Sequence, residues 1–296
     1  MSKKRRIAKA IKAASKAYGA GPAAAGRALA TARSKTKPVK ERVAALAQLP
    51  TTVCGDDRTF QAVLGILQDR AEPISVRLEA LQTLQAASFS VIAFVSCRSD
   101  YIATLRAIAD DPEPEIRQRV LGILAREKDG YAQQTLLQGL QNPSEALVPP
   151  EKALQLLSYD VHVETYPLAR AIVANPPNQA AKREALRVLA ADATAAPIFE
   201  KILRDKNEQT DIRQLAASAL HAVKPERLQI QARGIVLDTT EQDNILATSL
   251  TALTQFGRQE TLATDHPLQK RVKRLTRATS ARVKKGAQQF IAKYGQ

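Results

Sequence analysis

Three stretches of the chain follow one template: Val76-Arg-Leu-Glu-Ala-Leu-Gln-Thr-Leu84, Ile116-Arg-Gln-Arg-Val-Leu-Gly-Ile-Leu124 and Ile212-Arg-Gln-Leu-Ala-Ala-Ser-Ala-Leu220. Counted from the arginine, a small or apolar residue stands at +3, another at +4 and a large one at +7, which is the buried stripe of an amphipathic helix. Working outward, the template recurs with anchors at positions 42, 77, 117, 150, 182, 213, 246 and 283. The +3 column reads Ala45, Ala80, Val120, Ala153, Ala185, Ala216, Ser249 and Gly286. The +7 column reads Leu49, Leu84, Leu124, Leu157, Leu189, Leu220, Leu253 and Phe290. Small residues let helices approach, and leucine fills the layer behind them.

Between anchors lies a second apolar helical segment: 60–67, 101–109, 131–140, 167–174, 197–203 and 228–237. Pro167, Pro197, Pro225 and Pro267 stand where these second helices begin, and Pro73, Pro112, Pro114, Pro149 and Pro150 precede anchor helices. Proline is tolerated at a helix start and excluded from its interior, so the prolines punctuate helical hairpins. Composition agrees. The chain of 296 residues has no Trp, 4% aromatic residues and 45% hydrophobic residues, rich in Ala and Leu rather than in β-branched types. The one stretch readable as a strand, 89–95, is expected to be helical because a lone strand would have no partner.

The acidic turn, Ile/Val-Arg, then Ala-Leu and Leu at helical spacing resemble the HEAT-repeat family, including its short bacterial, phycobilisome-lyase-like form. The resemblance covers roughly residues 39–296 and is carried by the units at Arg77, Arg117 and Arg213. Pro150, Leu246 and Val283 depart from the anchor arginine. The resemblance implies an all-α fold, a right-handed α-solenoid of about eight HEAT-like hairpins with a partner-binding concave face. It dictates no chemistry, since such folds host many functions. Residues 1–38 are expected to form a basic, largely flexible N-terminal tail with a short amphipathic helix, Gly19 to Pro38 serving as its tether. Residues 39–296 form the solenoid with a basic C-terminal cap.

Residues that carry chemistry are sparse. The three histidines, His162, His221 and His266, have no Cys or His at ligand spacing, so no metal and no cofactor is expected. HEAT-like hydroxylases of the deoxyhypusine type use His-Glu dipeptides, whereas Val163, Ala222 and Pro267 follow these histidines. HEAT-like DNA glycosylases use tryptophans that this chain lacks. Phosphate-loop, dinucleotide, hydrolase-elbow and zincin motifs are missing. Cys54 and Cys97 read as small buried apolar residues. The recurring anchors Arg42, Arg77, Arg117, Lys182 and Arg213 read as structural because they follow the period. No apolar segment is long enough to span a bilayer and the N-terminus has charge but no apolar core of about 7–15 residues to make a secretory signal, so an intracellular, cytoplasmic protein is expected.

Charge is distributed unevenly. The net +15 divides into +12 over residues 1–40, +8 over 258–296 and −5 between them. At the N-terminus, Lys3, Lys4, Arg5, Arg6, Lys9, Lys12 and Lys16 surround an apolar stripe of Ile7, Ile11, Ala14 and Tyr18. That pattern suits a phosphate backbone, an acidic protein groove or an anionic membrane, and it also fits a presequence or a solubilising tail. Near the C-terminus, Lys270, Lys273, Arg274 and Arg277 share one helical face opposite Leu268, Val272, Leu275 and Thr279. Ser280 is a candidate N-cap for a final helix bearing Arg282, Lys284 and Lys285. The second helices carry Gln61, Gln68, Gln133, Gln134, Gln138 and Gln141, a neutral surface suited to a protein.

The expected function is therefore a non-enzymatic scaffold or adaptor. It holds a protein partner on its repeats and engages DNA, RNA or another polyanion with its basic ends. The alternatives are a HEAT-like enzyme, phycobilin-lyase-like or DNA-processing, and a scaffold associated with an anionic membrane. The acidic middle and basic ends count against bilin attachment at the centre of the solenoid.

Overall fold

A computed structural model describes residues 22–50, 53–160 and 162–295. Among these residues there are 18 α-helices and no β-strand. The chain divides into two compact units, one ending at Thr135 and one beginning at Leu136.

In the first unit α1 (Pro22–Arg33) packs on α2 (Val39–Leu46), α3 (Asp57–Gln68) on α4 (Ile74–Ser88), and α6 (Arg98–Ala107) on α7 (Pro114–Arg126). A single turn, α5 (Val91–Phe94), lies between the second and third pairs. Successive pairs stack in two rows, α1 on α3 and α2 on α4. The unit boundary falls within α8 (Gly130–Gln141).

The second unit repeats the plan. Here α10 (Thr165–Ala174) packs on α11 (Gln179–Leu189), α12 (Ala196–Arg204) on α13 (Thr210–Val223), α14 (Pro225–Leu237) on α15 (Asp243–Phe256), and α17 (His266–Leu275) on α18 (Ala281–Tyr294). The anchor helices form one row from α9 (Pro150–Leu157) through α11, α13 and α15 to α18, while α12, α14 and α17 form the other. The short α16 (Gln259–Ala263) precedes α17.

The leucine column is the core. All eight +7 residues are at most 3% exposed, and every +3 residue is buried. Burying a leucine side chain contributes about 1.5–3 kcal/mol, so the column is a principal cohesive feature between pairs. The small column sets the spacing. A Cβ placed on Gly286 would lie 3.2 Å from Leu250 Cβ, so glycine admits α18 close to α15.

Two expectations are corrected. Gly19–Pro38 is no tether over its described part: residues 22–33 form α1, with Ala25, Ala28 and Ala32 turned into the core at helical spacing. An alanine stripe buries little area but allows close packing, and α1 supplies the partner that α2 would otherwise lack. The first hairpin thus begins at Pro22, outside 39–296. Residues 89–95 are helical only for the turn α5. Phe94 packs edge-on against Phe60 and Tyr101, with ring centroids 6.4 and 5.2 Å away, while Phe89, Val91, Ile92 and Val95 remain more than 70% exposed.

The anchor arginines wire the pairs together. Arg42, Arg77 and Arg213 are each at most 3% exposed, and each donates from Nε to a carbonyl ten residues earlier, on Ala32, Leu67 and Leu203, at 2.8–2.9 Å. Those carbonyls belong to the last turn of the preceding helix, where backbone acceptors lack a helical partner. The guanidinium ends meet carboxylates in the turn of the following repeat: Glu72 at 2.7 Å, Asp111 at 2.5 Å and Glu241 at 2.7 Å. Lys182 pairs likewise with Glu208. Arg117 instead donates to the Asp111 and Pro112 carbonyls of its own turn. An acid preceding one anchor thus serves the previous one. Burial would raise the Asp111 carboxyl, but the Arg77 hydrogen bond and the Glu113 N–H outweigh it and hold it below its ordinary value.

Candidate polyanion interface

The C-terminal helices owe their position to a register that excludes their charges from the core. On α17, Leu268, Val272 and Leu275 are buried, so Lys270, Lys273, Arg274 and Arg277 fall outside. Asp265 caps this helix by accepting from the Leu268 N–H at 3.2 Å, and Arg233 pairs with the same carboxylate at 2.5 Å. The Arg233 hydrogen bond is the main reason that the Asp265 carboxyl lies below its ordinary value. Lys273 and Arg274 in the last turn also suit the negative end of the helix dipole. On α18, Val283, Gly286, Ala287 and Phe290 face inward, leaving Arg282, Lys284 and Lys285 exposed. Ser280 holds the residue position before α18, but its side chain makes no capping bond.

The end of the chain is locked by polar contacts to carbonyls. The Tyr294 hydroxyl lies 3.0–3.3 Å from the carbonyl oxygens of Leu253, Thr254 and Gly257, and Lys293 donates to Thr254 O at 2.7 Å. Arg271, also on α17, donates from Nε to Val236 O at 3.1 Å and from Nη2 to Asp238 O. These bonds hold α17 and α18 as a rigid platform.

Most cations elsewhere are spoken for. Arg70, Arg98, Arg106, Arg119, Arg170, Arg183, Lys206 and Arg227 each have a carboxylate within 4 Å, in addition to the anchors already named. At the C-terminal end, Lys270, Arg274, Arg277, Arg282, Lys284 and Lys285 have no carboxylate within that distance among the described residues. Lys270, Lys273, Arg274 and Arg277, with His266 and Gln269, line a shallow recess of about 610 Å³. Arg282 and Lys285 line another of about 620 Å³. The structure thus brings the seven C-terminal residues onto two adjacent helices and, for Arg277, the turn between them, and separates them into two recesses, with Lys284 outside both.

Lys3, Lys4, Arg5, Arg6, Lys9, Lys12 and Lys16 lie outside the described residues. Three of the six glutamines expected to face a partner are used internally: Gln61 donates to Asp100, Gln68 to Thr104 and Gln138 to Glu145. Burial raises the Cys54 thiol, and Cys97, the next contribution, acts in the same direction through a side-chain hydrogen bond. Among the described residues no group of three or more His, Cys, Asp and Glu side chains is arranged to hold a metal ion. None of their helices is long and apolar enough to cross a membrane.

Sequence reasoning missed the residues beside Arg282 and Lys285. Gln214, Ser218 and His221 on α13 and Asn244, Thr248 and Thr251 on α15 line the same recess, with Phe256 stacked on His221 at 3.9 Å. The signal was present as the polar positions opposite the leucine stripe, but it is spread over three helices whose alignment only the fold supplies.

No family model and no curated protein matches the chain. Among solved structures, an engineered protein is similar at 13% identity and TM-score 0.44, covering 99% of this chain and 94% of its own. Human deoxyhypusine hydroxylase in complex with glycerol is similar at 14% identity and TM-score 0.35, covering 83% and 98%. The complex of CpcE and CpcF of phycocyanin lyase from Nostoc sp. PCC7120 is similar at 16% identity and TM-score 0.25, covering 90% and 94%. Likenesses this distant transfer no site and no activity to this chain.

Proposed function

We propose that the chain is a binding module rather than an enzyme, a helical-repeat scaffold that engages the phosphates of nucleic acid through α17 and α18 while its repeats hold a protein. The observation that carries this reading is the change in the state of the cations. Most arginines in the body have carboxylate partners, with Arg27, Arg33, Arg58 and Arg258 as exceptions, whereas six exposed cations cluster on the last two helices and the turn between them with none within 4 Å among the described residues. A cation with an acid beside it gains little from a phosphate, but an unpaired one releases the counterions of the phosphate on binding. The protein-binding part is supported by Phe89, Val91, Ile92 and Val95, four large apolar side chains exposed within seven residues, since such patches mark interaction surfaces.

Titration of a fluorescent duplex and a single strand at several salt concentrations tests the reading. With about six phosphates engaged, affinity falls by roughly 10³ between 50 and 200 mM salt. Replacing Lys270, Arg274 and Arg277 with Gln reduces the log–log slope by about 2.7, on the basis of about 0.9 per phosphate. Failure to bind DNA or RNA at 50 mM salt overturns it. Binding only to vesicles containing anionic lipid would instead assign the cations to a membrane.

A further inference from the structure

We infer that the recess over α13, α15 and α18 is a seat for single-stranded nucleic acid, in which a base stacks on Phe256 and its phosphates meet Arg282 and Lys285. The inference rests on the polyanion reading and names the form of nucleic acid that this end accepts.

Three kinds of side chain meet there. Arg282 and Lys285 stand on α18 without carboxylate partners among the described residues. The side chains of Ser218, Asn244 and Gln289 make no hydrogen bond among the described residues, so two amides and a hydroxyl are available to base edges. Phe256 lies at the end of α15, 52% exposed, with its ring stacked on His221 at 26° between planes. An aromatic ring retained for packing is normally buried. This one is half-exposed and borders the recess together with His221, and it also borders a second recess beside Leu253 and Arg258.

The stacking requirement selects the ligand. A recess of about 620 Å³ falls in the range of small-molecule pockets and has room for a nucleotide or two. Bases within a duplex are already stacked on one another, so only a single strand can present one to Phe256 without paying for unpairing. Base–aromatic stacking is tolerant of sequence, whereas the amides give at most a modest preference. The combination of cations, an aromatic platform and free amides is the chemistry of single-strand recognition.

The test compares three labelled probes on the full chain at equal phosphate concentration: a dT12 strand, a 12-nucleotide abasic strand and a 12-base-pair duplex. The expected result is binding of dT12 about 5- to 100-fold tighter than the abasic strand, the range for one stacked base. F256L brings dT12 down to the abasic value without changing the salt slope. R282Q/K285Q, at exposed positions that leave the core intact, weakens dT12 and reduces the slope. Equal affinity for dT12 and the abasic strand in the unaltered protein overturns the inference and leaves the polyanion reading standing. Tighter binding of the duplex does the same. If none of the three probes binds, both readings fail.

Discussion

The repeat anchored at Arg213 and the one that follows it, anchored at Leu246, solve the same problem in opposite ways. In each, the carbonyl ten residues before the anchor sits at the end of the preceding partner helix and needs a donor. Arg213 supplies its own Nε to Leu203 O and carries on to Glu241. Leu246 has nothing to give, and Val236 O is satisfied instead by Arg271, reaching back from α17. The requirement belongs to the helix end rather than to the anchor position. There is a further consequence. The arginine anchors demand an acid 28–34 residues later, at Glu72, Asp111 and Glu241. For Leu246 that interval is residues 274–280, which contain Arg274 and Arg277 and no acid. Loss of the anchor arginine removes the need for an acidic turn there, and the C-terminal cations occupy the place of the ladder.

This comparison can be broken by mutation. Arg213→Ala leaves Glu241 as a buried charge and Leu203 O without its donor, and should cost about 3–5 kcal/mol in urea unfolding. A loss under about 1 kcal/mol would mean that the ion pair is not part of the fold's cohesion. Arg213→Met with Glu241→Leu should recover most of that loss, because both charges disappear together.

The leucine layer is common to both repeats, so Leu220→Ala and Leu253→Ala should each cost about 2–5 kcal/mol and resemble one another. A large difference between them would show that the two repeats are packed unequally. Arg271→Ala strands Val236 O and should cost about 1–3 kcal/mol, less than Arg213→Ala because no buried carboxylate is left behind. Equal losses for the two arginines would erase the distinction.

Acid should act on the paired carboxylates before the leucines. Asp111, Asp129, Asp211 and Asp265 have carboxyls held below their ordinary value. Groups whose folded pKa is lowered contribute stability above the unfolded pKa, about 3.9, and lose it as pH falls through the folded value. Thermal melts should therefore show little change due to these groups from pH 7 to 5 and a progressive decline below about pH 4. A decline already complete at pH 5 would point to other groups.

The fold was largely legible because its determinants are local and repeated: Leu84 and Leu220 announce a buried column, and Ala80 and Ala216 a close approach. The first hairpin was hidden because the stripe of α1 consists of Ala25, Ala28 and Ala32, and alanine among glycines reads equally as a linker. The arginines were visible as a period, but their partners were not, since an acid 28–34 residues away is ambiguous until the turns are stacked. Lys270 and Arg274 could be placed on one face from α17 alone, while Arg277 falls in the turn after it. Phe256, Asn244 and Gln289 form a site only when three helices lie side by side, and no single stretch of sequence contains that arrangement.

The central claim is that the cluster of C-terminal cations without acid partners binds the strand, and a lysine acylation footprint with and without a dT12 strand tests it most directly. Mass spectrometry of each peptide should show protection at Lys270, Lys284 and Lys285 when the strand is present, with Lys182 and Lys206, which hold Glu208 and Asp238, unchanged. Protection of Lys182 and Lys206 to the same degree, or no protection at Lys270, Lys284 and Lys285 under saturating strand, would contradict it.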